Sequence, residues 1–275
     1  MSTTPTKFVS DLEPAAAGRF GSPLPLDSGL LLVGHGTRSR EGSREFVELA
    51  ELLGQLTSPT PVQPCFLELR RPDLSDGWRE LVNRSVRHIR VVPVLLWAAG
   101  HALRDLPNEI AMLAAVNPAV SYDQANVLGF HPQIMERSDQ RFREAIDGLT
   151  GFYPEGAAII SVGRGSTENQ ATEDMLRFAE LRGISSKCAR AEAGFVAMAL
   201  PALGTMLDNI GQDPSIRDVV VQPHLLFDGD LRCTVCKIVR RAAWRYPSKR
   251  WIVTDLLGPH ELVAQALLDR CIAEI

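Results

Sequence analysis

The sequence has few cysteines, no excess of positive charge and no long apolar run, and each of these deficits excludes a class of protein. The 275 residues include five cysteines, three of them scattered and two close neighbours, and this odd number does not suggest a disulfide framework and fits a reducing cytoplasm. Lys and Arg number 29 against 33 Asp and Glu, so affinity for a nucleic-acid backbone is not expected. No stretch approaches the roughly 20 apolar residues of a membrane helix, and we expect no membrane partner.

The amino-terminal segment differs in composition from the rest of the chain. Residues 1–28 contain four prolines among small and polar residues, without the basic start and continuous apolar core of a secretory signal. They predict a flexible tail. The whole chain is 45% hydrophobic and 23% charged, which is ordinary for a globular protein. Its length suggests two domains at roughly 100–200 residues each.

An internal repeat defines these two domains. Segments of the first half align with segments of the second at an offset of 129 residues, or 130 at one anchor. The anchors are 31–37 with 160–166, 65–68 with 194–197, 91–93 with 221–223, and 100–101 with 229–230. A tandem duplication therefore predicts one domain over 29–150 and a second over 156–275.

Each copy alternates short apolar runs with segments of helical periodicity. The predicted strands are 30–33, 62–67, 89–97 and 125–128 in the first copy, and 157–162, 188–196, 218–226 and 250–255 in the second. The intervening segments predict helices, among them 103–115 and 132–146. Such alternation is typical of a parallel sheet covered on both faces. The expected fold class is α/β, with two tandem doubly wound domains that each hold a four-stranded parallel sheet.

Three chemically active side chains follow predicted strands of the first copy. With a strand order of 2-1-3-4, ligands bind beyond the carboxyl ends of strands 1 and 3, where the strand order reverses. His35 follows strand 1, His101 follows strand 3, and Glu68 ends strand 2 at the same edge. Two imidazoles and a carboxylate suit a divalent first-row metal ion. Their counterparts in the second copy are Arg164, Ala197 and Asp230, so only the first copy retains this set.

Other side chains leave two interpretations open. Trp97 precedes the strand-3 turn and either lines a flat apolar pocket or packs in the core. Arg164 either meets an anionic substrate or forms a structural ion pair. Cys233 and Cys236 share one face of a helix, and without a second pair we favour two buried thiols over a metal site.

The motifs around the three candidate residues resemble those of a known family. LVGHGTRSR around His35, FLELRRP around Glu68 and VVPVLLWAAGHALRDLP around His101 are similar to the class II tetrapyrrole chelatases of the CbiX type. PHLLFDGDL at 223–231 resembles the degenerate second half of the long, fused members. Thr37 stands where Ser is common. The resemblance implies a chelatase-like fold and insertion of Co²⁺ or Fe²⁺ into sirohydrochlorin, towards cobalamin or sirohaem, with His35 and His101 at the metal.

The expected mechanism combines this resemblance with simple acid–base chemistry. Two pyrrole protons must leave as the metal enters, and neutral imidazoles of His35 and His101 can hold the metal or accept those protons. Glu68 is expected to orient a histidine or relay a proton. Thr37 and Trp97 are candidate substrate-binding residues, and loop arginines are candidates to pair with the substrate carboxylates. These arginines are Arg38 and Arg104 first, then Arg40 and Arg70. The metal is a substrate, and no tightly bound cofactor is expected.

Two alternatives remain from the sequence. A metal or tetrapyrrole carrier would use the same two histidines without catalysis. A histidine phosphatase would also place His-Gly after a first strand, but it has an arginine where this chain has Gly34. The fused halves make a second chain unnecessary, so we expect a cytoplasmic monomer with two pseudo-dimeric halves.

Overall fold

A computed structural model describes residues 24–25, 27–98, 100 and 104–272. Within these residues, helices and strands alternate along the whole chain. Their bounds are β1 Ser28–Gly34, α1 Arg40–Thr57, β2 Val62–Phe66, α2 Leu74–Asn83, β3 His88–Pro93, α3 Leu106–Ala115, β4 Ser121–Gln124, α4 Pro132–Ile146, β5 Ala157–Gly163, α5 Asn169–Ser186, β6 Arg190–Phe195, α6 Leu203–Gln212, β7 Asp218–Pro223, α7 Asp230–Arg245, β8 Arg250–Val253 and α8 Glu261–Ile272. Most of the predicted tail, 1–23 with residue 26, lies outside the described residues. Leu24 is buried in the core and Ser28 already begins β1.

The strands form two parallel sheets of four, in the orders β2-β1-β3-β4 and β6-β5-β7-β8. This confirms the predicted α/β class. The central strands β1 and β5 are buried at every residue because helices cover both faces of each sheet. In both sheets the strand order reverses between the first and third strands, which creates a crevice at their carboxyl ends.

For two strands of the first copy, the bounds predicted from the sequence differ from those in the structure. The fourth strand is β4, Ser121–Gln124, and not the apolar segment 125–128. It is a half-exposed edge strand, so it tolerates polar side chains, whereas the buried Ala125 and Leu128 lie in the loop after it. Strand β3 ends at Pro93, four residues before its predicted end at Trp97.

The fourth helix of each copy packs against the other copy. Helix α8 contacts α1 and β3, and its residue Leu267 shares a core with Leu30 of β1. Helix α4 contacts α5 and β7, and its residue Phe142 clusters with Ile159 and Val220 of the second sheet. Each sheet is therefore covered partly by a helix from the other half of the sequence, which fixes the two copies on either side of one cleft. No helix in the described part of the chain has the length and apolar character needed to cross a membrane.

Candidate functional site

A cavity of about 730 Å³ lies between the two copies, at the carboxyl ends of their central strands. The loops after β1 and β3 line one wall, and the loops after β5 and β7 line the other. This volume falls in the range of about 300–1,000 Å³ that is typical of small-molecule sites. The position is also the one expected for a doubly wound sheet, because two switch points face the same space.

His35 and Glu68 meet in the wall formed by the first copy. The Nδ1 atom of His35 lies 3.2 Å from Oε1 of Glu68, and the backbone N–H of Glu68 donates to the carbonyl of His35. Gly36 makes this approach possible, because it adopts φ 100° and a Cβ there would lie 1.9 Å from the carbonyl oxygen of Glu68. When Nδ1–H donates a hydrogen bond to the carboxylate, the lone pair of the imidazole lies on Nε2, which is the arrangement that suits metal ligation.

His101, the second predicted metal ligand, lies outside the described residues. The residues on either side of it, Gly100 and Arg104, line the same cavity as His35. In the described part of the chain, no three His, Cys, Asp or Glu side chains are close enough together to hold a metal ion. The described portion of the candidate metal site is therefore the His35–Glu68 pair.

The loop after β1 is held in shape by an arginine that was predicted to face substrate. Arg70 donates from Nε to the carbonyl of Thr37 at 2.7 Å and from Nη2 to the carbonyl of Arg38 at 2.6 Å. The Thr37 hydroxyl accepts from the backbone N–H of Ser39 at 3.1 Å. Among the described residues, Thr37 and Arg38 line the cavity, whereas Arg70 lies behind that lining and positions the loop through two of its five N–H donors.

Polar contacts join the two copies on both sides of the cavity. On one side, Asp228 accepts a hydrogen bond from the hydroxyl of Ser39 at 2.9 Å, and its backbone N–H donates to Glu45. On the other side, Arg104 pairs with Glu168 at 2.9 Å. The sequence did not indicate Glu168 as a candidate residue, although Glu168 is the counterpart of Ser39 in the repeat, at an offset of 129 residues. Their partners are not counterparts, because at the same offset Asp228 corresponds to Ala99 and Arg104 to Cys233, so different contacts join the copies on the two sides.

Trp97 fills both of the roles that the sequence left open. Its ring lines the cavity and also packs against Phe130 and Phe178, with centroid distances of 5.0 and 6.0 Å. It lies 5.2 Å from the ring of His224, which is buried in the opposite wall. Burial, assisted by the charge of Arg182, lowers the pKa of His224 to about 3, so this ring is neutral near pH 7.

The second copy presents different chemistry to the same cavity. Arg164 is exposed and lines the cavity, as does Asp230 at the start of α7. The expectation of two buried thiols on this helix is wrong for Cys233, which is exposed, while Cys236 is half-buried. Helix α7 buries the face that carries Val235 and turns Cys233 to solvent.

Two doubly wound sheets that face one cleft, with a histidine–carboxylate pair at the edge of the first, define a chelatase-like α/β protein. The chain belongs to the CbiX family, whose model matches residues 29–145 and 158–274. It is 27% identical over 241 residues to the sirohydrochlorin ferrochelatase of Bacillus subtilis, covering 88% of this chain and 89% of the relative. It is 25% identical over 242 residues to the sirohydrochlorin cobaltochelatase of Priestia megaterium, covering 88% and 78%. The solved structure of SirB from Bacillus subtilis with Fe³⁺ is similar at a TM-score of 0.78 and 26% identity, covering 89% of this chain and 94% of that one. The family resemblance inferred from the motifs is confirmed.

Proposed function

We propose that this chain is a sirohydrochlorin chelatase, a lyase-class enzyme that inserts Co²⁺ or Fe²⁺ into the tetrapyrrole. The observation that carries the proposal is the His35–Glu68 pair at the wall of a cleft of about 730 Å³. Relatives that match most of the chain include sirohydrochlorin ferrochelatases and a sirohydrochlorin cobaltochelatase, which supports both the substrate class and the choice of metal.

Metal insertion needs a group that delivers the cation and a group that accepts pyrrole protons. His35 supplies Nε2 to the incoming cation while Glu68 fixes its tautomer and offsets the positive charge. His101 supplies the second imidazole. Once the cation passes from Nε2 to the ring nitrogens, each neutral imidazole regains a lone pair, so His35 and His101 can take the two protons that leave the macrocycle.

Exposed apolar side chains at the rims of the cleft are suited to contact the faces of a flat macrocycle. Leu69 and Met198 occupy matching positions in the two copies, line the cavity and are 52% and 55% exposed. Both hold left-handed backbone conformations, with φ 67° and 57°, which costs each about 1–2 kcal/mol in a non-glycine residue. Two strained, exposed apolar side chains at one cleft indicate a ligand that buries them.

The substrate carboxylates need partners because the molecule as a whole is acidic. Arg38 is exposed and lines the cavity close to Thr37, and both are proposed to contact the substrate. Arg104 pairs with Glu168 in an exposed ion pair of the kind worth at most about 1 kcal/mol. A substrate carboxylate can therefore displace Glu168 at little energetic penalty.

We propose that the copies are not functional equals. The first domain, 29–150, provides the metal chemistry, and the second, 156–275, forms the opposite wall, since its counterparts of the three candidate residues are Arg164, Ala197 and Asp230. One chain provides both walls, so a monomer is sufficient. The free cysteines fit a cytoplasmic location.

The test mixes purified protein with sirohydrochlorin and Co²⁺, Fe²⁺ or Ni²⁺ and follows the absorption spectrum. We expect insertion faster than the spontaneous rate, and loss of that acceleration in His35→Ala. The matched control is His88→Ala, because His88 lies at the amino-terminal end of β3, whereas the cleft lies at the carboxyl ends of the strands. No acceleration with any metal would overturn the proposal, and tight binding without acceleration would identify a carrier.

A further inference from the structure

A histidine and a tryptophan from opposite copies meet in the wall of the cleft. Trp97 follows β3 of the first copy and His224 follows β7 of the second. Their ring centroids are 5.2 Å apart at an interplanar angle of 34°, and both residues are among those that line the cavity. Phe178 lies behind His224, with its centroid 4.0 Å from the imidazole.

The nitrogen atoms of both rings are buried without a hydrogen-bond partner among the residues that the structure describes. This holds for Nδ1 and Nε2 of His224 and for Nε1 of Trp97. The side chain of His224 is 3% exposed. A buried polar group without a partner costs about 1–3 kcal/mol, so a folded protein rarely keeps three such atoms together without a use for them.

The repeat provides an internal control for these two positions. Matching backbone hydrogen bonds identify Val94 as the counterpart of His224. The N–H of His224 donates to the carbonyl of Val162, and the N–H of Val94 donates to the carbonyl of Val33, which is the counterpart of Val162. Phe227 follows Leu226, as Trp97 follows Leu96. Both leucine carbonyls accept from equivalent glycines, Gly258 and Gly129.

On the equivalent side of the cleft, the corresponding pair is therefore apolar. Val94 is buried in the core of the first copy, and Phe227 packs against that same core, 6.0 Å from the ring of Phe46. The same backbone frame thus accepts a valine and a phenylalanine at these positions. The ring nitrogens of His224 and Trp97 are not required by the fold.

The electrostatic surroundings determine what these nitrogens can bind. His224 is neutral near pH 7 because burial and the charge of Arg182 oppose its protonation. A neutral imidazole offers one N–H donor, and the indole offers another. Two adjacent donors in a buried site match the two oxygens of a carboxylate, and hydrogen bonds to a charged acceptor are the stronger kind.

We propose that the N–H groups of Trp97 and His224 together bind a carboxylate substituent of the tetrapyrrole. This deepens the proposed function and rests on it. The side chains of Val94 and Phe227, at the equivalent positions on the other side of the cleft, have no hydrogen-bond donor, so this contact makes the cleft asymmetric. It fixes how the macrocycle is rotated relative to His35, and both residues are therefore specificity-determining.

The experiment replaces each residue by its own counterpart in the repeat. Binding of metal-free sirohydrochlorin is titrated by absorbance in the wild type, Trp97→Phe, His224→Val and the double variant, with His88→Ala as the control. We expect each single variant to raise Kd about ten- to hundredfold. The double variant should raise Kd by less than the product of the two effects, since both groups hold one carboxylate. The melting temperature of the free variants should fall by only a few degrees, because the removal of unpartnered nitrogens partly offsets the loss of packed ring atoms.

A second ligand separates hydrogen bonding from ring stacking. Against sirohydrochlorin whose carboxylates are methylated, the variants should lose much less affinity than against the free acid, because a neutral ester oxygen accepts a weaker hydrogen bond than a carboxylate. Equal weakening for the free acid and the ester would overturn the proposal in favour of stacking, as would variant affinities equal to the wild type for the free acid. A wild type that binds neither ligand would instead overturn the proposed function, and this inference with it.

Discussion

Gly36 and Gly165 permit a matched test of which copy carries the chemistry. Both adopt left-handed conformations, with φ 100° and 90°. A Cβ would lie 1.9 Å from the carbonyl oxygen of Glu68 in the first case and 1.7 Å from that of Ala197 in the second. Alanine at either position must move a backbone carbonyl, so both variants should lose stability to a similar extent.

The magnitude follows from the backbone. Forcing a non-glycine residue into the left-handed region costs about 1–2 kcal/mol, and displacing the neighbouring strand end raises the loss to about 2–3 kcal/mol. For a chain of this size that corresponds to a fall in Tm of about 5–10 °C. Urea unfolding and calorimetry measure it for Gly36→Ala and Gly165→Ala.

Activity should separate the two variants although stability does not. In Gly36→Ala the displaced segment carries Glu68 away from His35, and a misplacement of about 1 Å can lower a rate about 100-fold. In Gly165→Ala the displaced residue is Ala197, which has no comparable side chain, so the loss should be much smaller. Assays of Co²⁺ insertion at a temperature where both variants are folded decide the matter. Equal losses of activity would refute the assignment of the metal chemistry to the first copy, and unchanged stability would refute the steric argument.

Three further predictions follow from single contacts. Glu68→Gln removes the charge that holds Nδ1 of His35, so the affinity for Co²⁺ should fall about ten- to hundredfold in a titration of the free protein, and an unchanged affinity would contradict that role. Glu168→Gln releases Arg104, so KM for sirohydrochlorin should be lower than in the wild type at low salt and equal to it at high salt, with Tm unchanged. A higher KM would contradict the proposal that a substrate carboxylate displaces Glu168 from Arg104. The pKa of His224 is lower in the folded protein, at about 3, than the usual value near 6.5, so the unfolded state binds more protons between these values. Folding stability should therefore decrease as the pH falls below about 6.5, by about 2 kcal/mol from this group at pH 5, and His224→Val should lack this component in urea unfolding curves.

Particular elements show how far the sequence alone could lead. The buried central strands were readable because a strand covered on both faces must be apolar along its whole length, as in β1 and β5. The edge strand β4 was misplaced because an exposed edge does not need apolar residues, so its sequence SYDQ carries no periodic signal. Spacing places Arg70 near the cleft but does not show that its guanidinium donates to the backbone carbonyls of Thr37 and Arg38.

The sequence by itself determined the duplication, the two parallel sheets and the edge at which His35 and Glu68 meet. These are local consequences of hydrophobic pattern and of glycine, and they repeat at nearly constant spacing. Only the tertiary structure decided that α4 and α8 cover each other's sheets, that Arg104 reaches Glu168, and that Trp97 meets His224. These contacts join residues from different copies, and their partners depend on how two separate surfaces pack. Periodicity within one copy therefore carries no information about them.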